Sequence, residues 1–181
     1  MEASSLNLSW SLKVKSDPCW YVIYVRSRHE FKVAERLTDA GVENFLPIVE
    51  RVSRWKDRRK LVTFPLFSGY LFVHIDDDPF KRLTVLKATG VVRFLGLSES
   101  AHETVPDERI MALKRLVESK EQIDPYPYLR GGRRVRINRG PLAGIEGTLV
   151  ERLGQHMLVV NVDLIRQGAA LRINASDVEQ V

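Results

Sequence analysis

Residues 67–75 read Phe-Ser-Gly-Tyr-Leu-Phe-Val-His-Ile, and their alternation predicts a strand with two chemically different faces. Tyr70, Phe72 and His74 leave on one side and Leu71, Val73 and Ile75 on the other, because strand side chains alternate. The aliphatic set suits packing under helices. Upstream, Trp20 to Val25 is a continuous apolar run, a strand buried on both faces, with Trp20, Val22 and Tyr24 opposite Tyr21, Ile23 and Val25. Downstream, Val91 to Leu97 reads as extended, with Val92 and Phe94 opposite Val91, Arg93 and Leu95.

Helical patterns separate these strands. Residues 28–40 carry Phe31, Ala34 and Leu37 on one side and end at Gly41, a residue suited to the left-handed position after a helix. Asp78-Pro79 reads as an N-cap followed by proline in the first turn, opening a helix that runs to about Ala88. A third helix begins near Pro106-Asp107-Glu108 and carries Ile110, Leu113, Leu116 and Val117. Val42 to Val52 and Leu61 to Phe64 are extended arms of a long hairpin. The order strand, helix, hairpin, strand, helix, strand, helix gives an α+β domain, a ferredoxin-like α/β sandwich with an elaborated hairpin.

With helices on the aliphatic side, Tyr24, Tyr70, Phe72 and Phe94 are expected to collect on the opposite side as an uncovered aromatic patch, the mark of a binding surface. The competing expectation is that the third helix, the hairpin or the second domain covers them. Two occupants suit such a patch. One is single-stranded RNA stacked on the rings, since Gly69-Tyr70-Leu71-Phe72-Val73 and Val22-Ile23-Tyr24-Val25 approach the two short signatures of an RNA-recognition motif. Leu71, Ser68 and Ile75 depart from those signatures. The other is a partner helix laid across the patch.

From Ser119 the pattern changes. Gln122 to Tyr128 (Gln-Ile-Asp-Pro-Tyr-Pro-Tyr) has two prolines and no periodicity, so 119–130 reads as a semi-rigid linker. Residues 131–181 hold short alternating apolar segments punctuated by glycine, as in Leu158, Val160, Val162 and Leu164, and read as a small closed SH3-like β-barrel. Residues 1–18 read as a mobile tail, 19–118 as the first domain and 131–181 as the second.

Composition narrows the function. The chain has 181 residues, 44% hydrophobic and 28% charged, a soluble globular balance. Its apolar runs are far too short for a membrane span, and residues 1–18 lack the apolar core of a signal peptide. One cysteine, Cys19, allows no internal disulfide and fits a reducing compartment, so a cytoplasmic protein is expected. The net charge is +5, and residues 51–60 alone hold Arg51, Arg54, Lys56, Arg58, Arg59 and Lys60 against Asp57, a local excess equal to the whole. Such a pole points to a polyanion or, more plainly, to a solvated loop. Catalysis finds no motif. His29-Glu30 is followed by Val33 where a metalloprotease helix needs its second histidine, and no Gly-x-Ser-x-Gly or phosphate-binding loop occurs. His29, His74, His102 and His156 are isolated, and Asp76, Asp77 and Asp78 are adjacent rather than convergent. Neither an enzyme nor a metal or other cofactor is expected.

Several segments together resemble a known family. Trp20-Tyr21, Phe31-Lys32-Val33-Ala34, Leu46-Pro47, Phe67 to Val73 and Thr89-Gly90-Val91-Val92-Arg93-Phe94-Leu95-Gly96 are similar to the N-terminal domain of NusG-type transcription elongation factors. Gly132 to Leu149 resembles the KOW module that follows it. The resemblance implies a domain that binds the clamp helices of RNA polymerase through an aromatic pocket formed by Tyr24, Phe67, Tyr70, Phe72 and Phe94, promoting processive elongation and antitermination. It implies that the basic hairpin lies near upstream or non-template DNA, with phosphate contacts that steer rather than specify. Arg26 and Arg28 after Tyr24, with the Tyr-Leu-Phe-Val strand, lean toward the operon-specific, RfaH-like antiterminators rather than a general housekeeping factor. In the barrel, Leu164-Ile165-Arg166 resembles the tip through which the family recruits a ribosomal protein or a termination factor, although the parity of Leu164 also fits a core position. A monomer is expected. Ser68 replaces the family's proline before Gly69-Tyr70, and the start of the second helix lacks a run of hydroxyl residues. A ribosome-associated KOW protein remains the alternative reading of the barrel.

Overall fold

A computed structural model describes residues 17–55, 58–97, 102–119 and 121–181, and the side chains of 53–60 fall outside that description. All of the expected tail except Asp17 and Pro18 lies outside the described residues. Strand β1 (Cys19–Val25) leads to helix α1 (Glu30–Asp39), the short β2 (Glu43–Phe45) and the hairpin β3 (Ile48–Trp55) and β4 (Arg58–Pro65). Next come β5 (Tyr70–Ile75), α2 (Pro79–Lys87), β6 (Val91–Phe94) and α3 (Asp107–Glu118). The antiparallel sheet has the order β2-β5-β1-β6, and the β3–β4 ribbon stands apart from it. Without the ribbon this is the ferredoxin-like order, in which each helix crosses over one intervening strand.

Local chemistry places the helices as the residues require. The Asp78 side chain accepts from the Phe80 N–H at 2.9 Å, with Pro79 in the first turn of α2. Gly41 closes α1 with φ +72, where nothing obstructs a side chain and only backbone strain favours glycine. Asp76, buried under Lys81, and Asp77, shared by Arg82 and His102, pin the loop after β5 rather than converge. No group of three His, Cys, Asp or Glu among the described residues is placed to hold a metal, and no described helix is long and apolar enough to cross a membrane.

The sheet separates two cores. Tyr21, Ile23, Val25, Leu71, Val73 and Ile75 pack with Val33 and Leu37 of α1 and Val85 of α2. Trp20, Val22 and Phe72 face the other way, into a cluster with Ile110, Leu113 and Leu116 of α3. The alternation in β1 and β5 is therefore observed residue by residue, in the register Trp20↔His74, Val22↔Phe72 and Tyr24↔Tyr70.

The second unit is a six-stranded sheet of β7 (Ile123–Pro127), β8 (Arg133–Ile137), β9 (Glu146–Arg152), β10 (Gln155–Val162), β11 (Gln167–Arg172) and β12 (Val178–Gln180), in the order β12-β8-β9-β10-β11-β7. The expected linker needs correction here. Residues 123–127 form an edge strand paired with β11 from Ile123↔Leu171 to Pro127↔Gln167. Pro125 and Pro127 are two apart, so both missing donors fall on the same edge, and an edge strand tolerates this. The connection is thus shorter than the composition indicates. On the barrel's outer surface Arg134 and Arg136 both bind Glu146, and Arg136 holds that carboxyl below its ordinary range.

The two units dock. Arg115 of α3 donates to the carbonyls of Pro141 and Ala143, each at 2.8 Å. Arg51 of the ribbon pairs with Asp124 of β7 at 3.0 Å. One apolar cluster runs from Phe72 through α3 into Leu158, Val160, Val162 and Ile165 of the barrel.

Candidate functional site

The site is organised by the turn before β5. The Tyr70 N–H donates to the Phe67 carbonyl at 3.2 Å, and Gly69 has φ +82. That combination is a type II turn, which requires positive φ at its third residue and favours proline where Ser68 stands. A Cβ on Gly69 would lie 3.0 Å from Cε2 of Tyr24, so glycine is also what lets that ring lie against the turn. The Gly69 N–H donates to Oε1 of Glu30 at 2.8 Å. Glu30 is 4% exposed in the first turn of α1, where the helix N-terminus stabilises a carboxylate.

Loss of this acceptor leaves a buried amide unpaired, which costs about 1–3 kcal/mol. Glu30→Ala is therefore expected to lower the urea midpoint by a corresponding amount, and Glu30→Gln, which keeps a carbonyl acceptor, by less than half as much. An unchanged midpoint in the alanine variant would mean that other contacts hold the turn.

Across the face opposite α1 and α2 the residues form rows. Glu43, His74 and Trp20 make the first; His74 stacks on Trp20 with centroids 4.7 Å apart, and Lys114 of α3 lies 4.8 Å above the Trp20 ring. Phe45, Phe72 and Val22 make the second. Tyr70, Tyr24 and Arg93 make the third, with the two tyrosine centroids 5.6 Å apart. Cover is deepest in the second row and least in the third. Helix α3 lies over the first row, Phe72 in the second is fully buried, and in the third Tyr24 is 38% exposed, Tyr70 half-buried and Arg93 exposed.

Two expectations are corrected. The aromatic side is not bare: Phe67 and Phe72 have no exposed surface, because α3 and the barrel share their cluster. Phe94 does not belong to that side. Its register partner is Ile23, and at 8% exposure it sits in the core under α1 and α2, edge-on to Tyr21. Alternation within β6 is interrupted: Tyr24 opposes Arg93 but Val25 opposes Val91, so Val92 is an extra residue, and Val91 and Phe94, expected on opposite faces, both pack on the α1 and α2 core. Arg93 occupies the place expected for Phe94. A charged residue amid strand apolars should have marked the open side, and that signal was in the sequence.

The charged candidates divide. Arg26 and Arg28 are exposed at the Tyr24 end of the sheet, Arg28 with φ +63. Arg51 is engaged by Asp124. Arg54, Arg58, Arg59 and Lys60 lie on the paired arms of the ribbon, but their side chains, and Lys56 altogether, lie outside the described residues. At the barrel tip a 3-10 turn spans Asp163–Ile165. Ile165 is buried and Leu164 half-buried, while Arg166, in the left-handed conformation, lies 5.1 Å from the Tyr128 ring centroid. Tyr128 donates to Asp163 at 2.6 Å, a bond to a carboxylate that raises its phenol pKa.

Comparison with known proteins places these features in context. Residues 18–114 match the family described as NusG, transcription termination factor. The chain is 30% identical over 144 residues to the transcription termination/antitermination protein NusG of Chlamydia trachomatis, covering 73% of this chain and 77% of that protein. It is 23% identical over 174 residues to the protein of the same name from Halalkalibacterium halodurans, covering 90% and 98%. Its fold is similar to that in a structure titled "Domain interaction in Thermotoga maritima NusG", with a TM-score of 0.53 and 22% identity over 91% of this chain and 98% of that one.

Proposed function

This chain belongs to the NusG family of transcription termination and antitermination factors, and on that footing we propose that it binds RNA polymerase through the aromatic side of its sheet. The partner surface in this reading is the helical clamp beside the main channel, and the effect is processive elongation and antitermination. The observation that carries the reading is the third row: Tyr24 and Tyr70 in ring contact beside Arg93, left partly open while Trp20, Val22 and Phe72 on that side are buried. Exposed tyrosines and an arginine around a desolvated apolar floor are the composition of an interaction hot spot. Phe67 and Phe72 support that floor and take no part in the first contact. Phe94 is left out.

The test is co-purification of full-length variants with core polymerase. Tyr70→Ala is expected to weaken association by about thirtyfold, the effect of losing one hot-spot ring worth about 2 kcal/mol, with Tyr24→Ala similar. If both variants stay folded by circular dichroism and bind polymerase as before, the reading fails. Loss of affinity for free single-stranded RNA with polymerase binding intact would favour the RNA-recognition alternative, which the open aromatic row on a ferredoxin-like sheet keeps in play.

In the same reading the ribbon carrying Arg54, Lys56, Arg58, Arg59 and Lys60, together with Arg26 and Arg28, runs beside upstream or non-template DNA. Each neutralised phosphate contributes about 0.9 to the slope of log affinity against log salt. Replacing Arg58, Arg59 and Lys60 by serine should therefore reduce that slope by about 2 to 3 in a binding assay on a DNA duplex with an open bubble. An unaltered slope would make the ribbon an ordinary solvated hairpin. The barrel, through Leu164, Ile165 and Arg166, engages a ribosomal protein or termination factor. Action on particular operons, as in the RfaH-like members, separates from general action by sequencing nascent transcripts after deletion: a local defect indicates the specialised role and a genome-wide one the general role.

A further inference from the structure

We propose that Arg93 is the specificity determinant of the docking face, pairing with a carboxylate on the polymerase surface that rests on Tyr24 and Tyr70; this deepens the polymerase-binding reading and rests on it. The placement follows from register. Tyr24 opposes Tyr70 on one flank and Arg93 on the other, and directly opposed residues project on the same side of a sheet. The guanidinium therefore belongs to the tyrosine side, although Phe94 beside it in sequence faces the α1 and α2 core.

Arg93 is exposed, and no acceptor in the chain engages it among the described residues. Six other arginines are occupied, Arg36 by the Thr89 carbonyl, Arg51 by Asp124, Arg82 by Asp77, Arg115 by two carbonyls, Arg134 and Arg136 by Glu146; Arg93 shares its open state with Arg26 and Arg28 and differs from them in lying beside the tyrosine rings. An unpaired cation at the margin of an apolar, ring-lined surface has an unmet preference for an anion, and a guanidinium fork meets a carboxylate with two parallel hydrogen bonds.

Two kinds of anion have to be separated. Nucleic-acid surfaces carry many cations spaced along a phosphate track. The open row has one guanidinium, at its β6 end beside two tyrosine rings, and the next row along the sheet is the buried apolar floor of Phe72 and Val22; Arg26 and Arg28 lie past the strand end. A single charge set in apolar surface is the complement of a protein partner with one acidic residue among apolar neighbours. Because Tyr24 and Arg93 are exposed with the barrel docked, this partner reaches the row without any rearrangement of the molecule.

Binding of the full-length protein to core polymerase free of nucleic acid, at two salt concentrations, tests the assignment. Arg93→Glu is expected to weaken binding at least thirtyfold, Arg93→Lys by less than tenfold, and Arg93→Ala to flatten the salt dependence, with circular dichroism unchanged in all three. If Tyr70→Ala weakens binding but Arg93→Glu stays within twofold of wild type, the carboxylate contact is overturned and the polymerase reading stands. If neither variant alters binding, the reading itself falls and the inference with it. If Arg93→Glu instead abolishes affinity for a single-stranded DNA oligonucleotide while polymerase binding persists, the row is a nucleic-acid surface and the assignment is wrong.

Discussion

Phe72→Ala is expected to remove about 3–5 kcal/mol of folding free energy, the usual cost of truncating a fully buried phenylalanine. A domain of this kind is held by only about 5–15 kcal/mol, so the variant should be partly unfolded at physiological temperature. The size of the effect comes from where the ring sits. Phe72 contacts the Phe45 and Phe67 rings, with centroids 6.0 and 6.4 Å away, and lies beside Val22 in the sheet. Its cluster continues through Ile110, Leu113 and Leu116 into the barrel, so the void cannot be filled by one loop collapsing. Urea denaturation followed by circular dichroism measures the loss, and Trp20, in the same cluster, reports it by fluorescence. Tyr70→Ala, at the half-buried end of the strand, should cost less than half as much. A Phe72→Ala variant as stable as wild type would mean that the aromatic cluster is not a structural core. This ordering also governs how partner-binding defects are interpreted: a defect from Phe72→Ala reports folding, whereas one from Tyr24→Ala or Tyr70→Ala reports the surface.

The difference between those two residues was only half legible in the sequence. Alternation in β1 and β5 separates Trp20, Val22, Tyr24, Tyr70 and Phe72 from their neighbours because each strand's period is local. The Asp78-Pro79 start of α2 was legible for the same reason, since a cap acts within one turn. Which side α3 covers is another matter. Ile110, Leu113 and Leu116 announce an amphipathic helix but not its destination, and helix destinations are set by packing across long sequence separations. The side that Phe94 takes is not legible from its aromatic character, because an extra residue in β6, Val92, shifts the register against β1. β7 was read as linker because its partner strand begins forty residues after it ends, and two prolines mask the alternation of Ile123 and its neighbours. Glu30 drew notice only as part of an incomplete metal motif. Its work on Gly69 depends on a contact spanning 39 positions, which no local pattern signals.

Leu164→Asp is expected to separate the two domains. Leu164 stands at the barrel tip, and a Cβ on Gly96 would lie 2.8 Å from its Cδ2 and 3.3 Å from Oε2 of Glu103. An aspartate there loses the apolar contact and brings a carboxylate beside Glu103. Like-charge juxtaposition and partial desolvation together cost on the order of 3 kcal/mol, enough to shift a docking equilibrium about a hundredfold. Folding of each unit should survive, because Leu164 is only half-buried and the separated tip can hydrate its new charge. Small-angle scattering should then show a larger radius of gyration, and protease should cut the short connection around Glu121 and Gln122. Arg115→Ala, which removes two hydrogen bonds to the 141–144 turn, should act in the same direction and more weakly. Under the proposed function the separated form exposes Ile165 to the barrel's partner and relieves the cover over Phe67 and Phe72, so Leu164→Asp should bind polymerase at least as tightly as wild type. A variant that scatters and digests like wild type would show that the Leu164 contact contributes nothing to docking, and that Arg115, Arg51 and the α3 surface hold the domains together alone.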